Sequence, residues 1–159
     1  MPYLVLTLQS GDFPSSVHDE LAREVTRVAA DAERIPPDAA RRASTLVQLV
    51  ELPRGALYSA GAREPLELVR FVAVHAFVPR GVLDPPKHAE LVSGVDAALR
   101  EVGKKEGPRS ALPVMSSIVI TEVDHGHWGV LGKISWLADF AARAGYEHLT
   151  GLVRSPPSK

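Results

Sequence analysis

Residues 114–129 read VMSSIVITEVDHGHWG, a β-rich apolar run from Val114 to Val123 that stops at Asp124-His125-Gly126-His127-Trp128-Gly129. Short apolar runs bounded by turn residues are the pattern of strands buried on both faces. Upstream, residues 70–78 (RFVAVHAFV) form another such run. Between the two, Asp84-Pro85-Pro86 supplies an N-cap followed by prolines at a helix start, and Leu91, Val92, Val95, Leu99 and Val102 recur at helical spacing. A loop with Gly107-Pro108 ends that stripe. Strand, helix and strand in this order pair the two strands in parallel through the helix.

The same grammar precedes it. Residues 3–9 (YLVLTLQ) make a strand closed by Ser10-Gly11-Asp12, and Pro14-Ser15-Ser16 offers an N-cap with Asp19 three residues after Ser16. Val17, Leu21, Val25 and Val28 then keep helical spacing until Ile35-Pro36-Pro37, and residues 45–52 (TLVQLVEL) give a strand closed by Pro53-Arg54-Gly55. Aligned by eye, Pro2 falls opposite Arg70, Asp12 opposite Arg80, Glu51 opposite Glu122 and Gly55 opposite Gly126. Two βαβ units of about sixty residues are therefore expected. They span residues 2–58 and 68–132, with 59–67 (SAGAREPLE) as connector. Ile134 to Tyr146 reads as a C-terminal helix within 133–159, and Ser155-Pro156-Pro157-Ser158-Lys159 as a frayed tail. The expected class is α/β (α+β): a single domain over 1–159, with a four-stranded sheet carrying two helices on one face.

Composition narrows the function. The 159 residues are 45% hydrophobic and 23% charged, and 18 basic against 19 acidic residues leave a net charge of -1, so nothing marks a nucleic-acid surface. The absence of cysteine removes disulfides, thiolate metal sites and cysteine nucleophiles together. Tyr3 to Leu8 is too short for a signal peptide and no basic residue precedes it, which gives a cytoplasmic, soluble protein with no membrane partner as the expectation. His125 and His127 alternate on one segment, but no third ligand clusters with them, so neither a metal nor another cofactor is expected. No glycine-rich phosphate loop or serine nucleophile motif occurs.

The segment Ile120-Thr121-Glu122-Val123-Asp124-His125-Gly126-His127-Trp128-Gly129-Val130-Leu131-Gly132, with a proline directly after Met1, is similar to the 4-oxalocrotonate tautomerases of the tautomerase superfamily. The resemblance covers roughly residues 2–132. The fused repeat also resembles 5-carboxymethyl-2-hydroxymuconate isomerases and haloacrylate dehalogenases of that superfamily. It implies a tautomerase/MIF-like fold, a barrel-like homotrimer and a small carboxylate-bearing substrate.

It further implies an isomerase, a tautomerase that moves a proton in a small keto–enol or unsaturated carboxylic acid. Pro2 is its acid/base: once Met1 is removed, the prolyl nitrogen is an amine with a reference pKa of about 7.7–8.0 that burial lowers toward working pH. Arg80 is the implied carboxylate clamp and Trp128 the implied pocket wall, with Tyr58 near Trp128's place in the first unit. Arg70, opposite Pro2 in the repeat, is a candidate second cation, and His75 a further candidate substrate contact set against a core-histidine reading. The family's second arginine is replaced by Ser117 in one unit and Leu46 in the other. For the dehalogenase branch, Val28 to Ile35 holds no counterpart of its histidine, and no carboxylate stands near Val130. A hydratase or dehalogenase using the same proline, and a non-catalytic oligomeric member that keeps Met1, are the alternatives.

Overall fold

The computed structural model describes residues 1–105 and 107–152. The strands are β1 (Tyr3–Gln9), β2 (Leu46–Leu52), β3 (Arg70–Pro79) and β4 (Val114–Val123), ordered β2-β1-β3-β4 in one sheet. β1 pairs with β2 in parallel, β3 with β4 in parallel, and β1 with β3 antiparallel. Two βαβ units thus share one sheet through their first strands.

Helices α1 (His18–Ala32) and α4 (Pro85–Gly103) cover one face, with the short turns α2 (Ala39–Arg42) and α3 (Glu64–Glu67) in the connections. The covered face is strict period-two packing: Leu4, Leu6, Leu8, Val72, Val74, Ala76 and Val78 are buried under Leu21, Val25, Ala29, Leu91, Val95 and Leu99. Asp84 caps α4, accepting from Lys87 N at 2.9 Å. The expected cap at Ser16 does not form. Ser15–Val17 makes a 3₁₀ turn instead, and Val17 opens α1 without a side-chain cap.

The expectation that the strands are buried on both faces holds on one face within this chain. The other carries Tyr3, Val5, Thr7, Ala73, His75 and Phe77, with Leu46, Met115 and Val119 exposed among them. Apolar side chains on that face read as core in the sequence because period two does not say what covers each side.

The duplication is real, and the second strands keep the expected match of Glu51 with Glu122, but the register of the first strands is shifted. Ser10 N donates to Leu52 O at 2.8 Å and Arg80 N to Val123 O at 3.0 Å, and the glycines that follow have matching φ of 83° (Gly11) and 84° (Gly81). The turns therefore match Ser10 with Arg80 and Asp12 with Val82, and Arg70 lies ahead of any counterpart of Pro2. A slip of two residues keeps every side chain on its own face, so hydrophobic alternation cannot detect it.

After β4 the chain forms a hairpin, β5 (Trp128–Val130) and β6 (Lys133–Ser135), across Leu131-Gly132, both at positive φ. The C-terminal helix α5 (Leu137–Ala144) is shorter than the expected 134–146, because Ile134 pairs with Gly129 in that hairpin. Asp139 Oδ2 accepts from Trp136 N at 2.8 Å and starts the helix. Gly145, at φ 67°, ends it. The expected tail, 155–159, lies outside the described residues. Among the described residues no helix is long and apolar enough to cross a membrane.

Candidate active site

The amino terminus is buried. Met1 is 8% exposed and Pro2 is buried beside it, at the start of the central strand β1 and under the helix layer. The Met1 amine donates to Glu33 Oε2 at 2.7 Å and also contacts the Tyr146 hydroxyl, which itself donates to Glu33 Oε2 at 2.5 Å. Both partners are 1% exposed. Three polar groups from the first residue, the end of α1 and the segment after α5 thus meet inside an apolar core that includes Ile35, Val82, Phe140 and Ala144.

Burial dominates the electrostatics. Desolvation pulls the Met1 amine below its ordinary pKa although Glu33 raises it, and desolvation pushes the Glu33 carboxyl up although the amine lowers it. Each group is driven toward its neutral form. An amine and a carboxyl in hydrogen-bond contact can pass one proton between them, the pairing that proton transfer between two atoms of one substrate requires. Pro2's nitrogen, an amide while Met1 is attached, lies one residue further along.

Glu33 was legible but unread. Val17, Leu21, Val25, Ala29 and Glu33 form an unbroken i, i+4 series, so a carboxylate closes the apolar stripe of α1. It lies in the Val28 to Ile35 stretch, which holds no histidine. Tyr146 gives no local signal, because its partner is 113 residues away.

The other candidates are placed differently. Arg80 follows β3 at the N-terminal end of β1, since Tyr3 pairs with Phe77. Its guanidinium is 54% exposed and paired with Asp124. Trp128 is at that same end, edge-on to Phe140 with centroids 5.4 Å apart. With Tyr3, Phe77, Val123, His127 and Gly129 it lines a hollow of about 230 Å³ on the uncovered face. His75 sits mid-strand on that face, stacked on Phe77 at 4.2 Å with Nε2 2.8 Å from Thr121 Oγ1.

Arg70 is not near Pro2. It stands at the opposite end of β3, 3% exposed, donating to the carbonyls of Gly103 (2.6 Å), Ser110 (3.2 Å) and Leu112 (2.9 Å). Antiparallel pairing of β1 with β3 sends the two strand starts to opposite ends of the sheet, so a residue near Pro2's place in one repeat is remote from Pro2 itself. Tyr58, also at that far end, is exposed and bound by Arg63. Among the described residues no cluster of three His, Cys, Asp or Glu side chains could hold a metal ion.

No protein-family model matches the chain, and no curated protein matches its sequence. Solved structures do. A native fused 4-OT superposes with a TM-score of 0.66 at 18% identity, covering 83% of this chain and 94% of its own. A fused 4-OT symmetric trimer gives 0.65 at 16%, covering 88% and 98%. The fold is that of the tautomerase superfamily. A member of the cis-3-chloroacrylic acid dehalogenase family superposes with a TM-score of 0.64 at 16% identity, covering 97% of this chain and 92% of its own. At these identities the tautomerase-superfamily likeness is one of fold.

Proposed function

We propose that the chain, once Met1 is removed, is an isomerase that moves a proton in a small keto–enol or unsaturated carboxylic acid with the Pro2 amine as acid/base. The observation that carries this reading is the buried terminal amine held by Glu33 and Tyr146 at the start of the central strand. Trimming Met1 leaves the prolyl nitrogen as the only amine there among the described residues, one residue along from the point that Glu33 holds, an acid whose proton burial favours. Arg80 is proposed to meet the substrate carboxylate by exchanging its partner Asp124, and Trp128 to wall the site from the uncovered face. His75, in mid-strand, and Arg70, at the opposite end of β3, stand outside this proposed site. The chain is proposed to assemble as a homotrimer through the uncovered sheet face, in line with the fused 4-OT trimers.

The second reading, a hydratase or dehalogenase, has one observation in its favour. If the pair's proton rests on the amine, Glu33 is a carboxylate able to activate water while the prolinium donates the proton. The test is consumption of phenylenolpyruvate and 2-hydroxymuconate against that of 3-haloacrylates, using protein whose intact mass shows Pro2 as the first residue. Isomerisation without halide release supports the first reading. Halide release supports the second. Inactivity of this trimmed protein toward all of them favours a non-catalytic role.

A further inference from the structure

We propose that Tyr146 is a catalytic residue of this site, its hydroxyl binding the carbonyl or enol oxygen of the substrate, so that the C-terminal segment selects small 2-keto or enol acids. This deepens the reading of Pro2 as acid/base and rests on it for the proton-transfer step.

Three observations point to an oxygen site. The Met1 nitrogen marks a point within hydrogen-bond reach of both Glu33 and Tyr146. Successive Cα atoms are about 3.8 Å apart, so removal of Met1 leaves that point directly before the Pro2 nitrogen. The second oxygen of Glu33, Oε1, is buried and has no hydrogen-bond partner among the described residues, although buried polar atoms are nearly always paired. A substrate hydroxyl satisfies it. The room available is that of a methionine residue almost wholly enclosed by protein, which limits the substrate to a short acid.

The segment carrying Tyr146 is anchored for this task. Gly145 adopts φ 67°, and a Cβ on it would lie 2.5 Å from Arg41 Nη1. The Arg41 side chain can swing away, so it is the left-handed backbone that favours glycine here, and this turn points Tyr146 inward to Glu33.

The protons balance without a further reactant. In enolisation the proton on the carbon next to the carbonyl passes to the Pro2 amine as the carbon–carbon double bond forms. The carbonyl oxygen takes the Tyr146 proton, which the Glu33 carboxyl replaces. The prolinium then returns its proton to the Glu33 carboxylate, and ketonisation is the reverse.

The experiment compares trimmed wild type with Tyr146→Phe, both checked by intact mass and circular dichroism. It reads pyruvate binding by calorimetry and ketonisation of enol-oxaloacetate, a short acid, by absorbance. Loss of one donor to a developing oxyanion is expected to lower kcat by about 10²-fold, with weaker pyruvate binding. Unchanged kcat and binding overturn the proposal, as does failure of wild type to bind pyruvate. If wild type binds, the variant binds more weakly and neither protein turns over, the oxygen site stands and the Pro2 reading falls. Should Tyr146→Phe not fold, biosynthetic replacement of the three tyrosines by 3-fluorotyrosine serves instead. The alkaline limb of the pH–rate profile then moves to lower pH if Tyr146 delivers the proton, and stays in place if it does not.

Discussion

The two ends of the sheet are built from equivalent elements and do opposite things. At the far end, Arg70 at the start of β3 reaches the end of α4 and is saturated by three carbonyls, while Asp12, wholly buried, is paired with Arg54 at 2.6 Å and Arg109 at 2.9 Å. Among the described residues Arg70, Arg54, Arg109 and Asp12 all hold polar partners there, although Asp12 Oδ2 is left without a hydrogen bond. At the N-terminal end, Met1 at the start of β1 reaches the end of α1, and its amine meets the Tyr146 phenol and a carboxyl that burial pushes toward its neutral form. Guanidinium groups do not lose their protons in water, whereas an amine beside a carboxyl exchanges them. The duplication has one end of fixed guanidinium pairs and one where an amine meets a carboxyl, the end to which proton transfer is proposed.

The largest effect should come from breaking the N-terminal end. Blocking the amine with an uncleaved extension should abolish turnover, while Pro2→Ala leaves a primary amine and retains a fraction reduced by roughly 10²–10⁴-fold. Steady-state kinetics on mass-verified protein checks both. Full activity with Met1 retained would remove the distinction between the ends.

Breaking the far end should damage stability and spare chemistry. Arg70→Met leaves the Gly103, Ser110 and Leu112 carbonyls short of a charged donor and should cost about 2–4 kcal/mol. Asp12→Asn, which strips Arg54 and Arg109 of a buried counter-charge, should cost about 3–5 kcal/mol. Urea unfolding measures each, and kcat of the folded fraction should match wild type. A fall in kcat with unchanged stability would mean that the far end also serves the reaction.

The pH dependence of stability separates the ends more finely. In the chain that keeps Met1, the raised Glu33 pKa means that the native state binds more protons than the unfolded one between the ordinary glutamate range and the raised value. Stability therefore falls as pH rises through that window. The lowered amine acts in the other direction: stability rises as pH climbs from its depressed value to the ordinary amine range. Glu33→Gln should abolish the first slope and keep the sense of the second, as read from Tm against pH. An unchanged profile would show that Glu33 is not protonated differently in the folded chain.

Arg80→Ala should have the smallest effect on stability. Its pair with Asp124 is exposed, worth less than about 1 kcal/mol. A raised KM for a carboxylate substrate with Tm unchanged would support its binding role, and unchanged kinetics would leave it a turn residue.

Much of this was written locally. The alternation of Leu4, Leu6 and Leu8 and the helical stripes of α1 and α4 depend on neighbours within a few residues, so the sequence alone determined two βαβ units, their order and a four-stranded sheet. It also showed a proline after Met1 and a glutamate on an apolar stripe. Whether Arg70 or Glu33 stands beside the amino terminus was beyond it. A two-residue slip leaves alternation unchanged, and antiparallel pairing of β1 with β3 sends equivalent residues to opposite ends. Only the tertiary structure decided that Tyr146, 113 residues from Glu33, completes the cluster, because that contact depends on how α5 packs on the core rather than on any spacing along the chain.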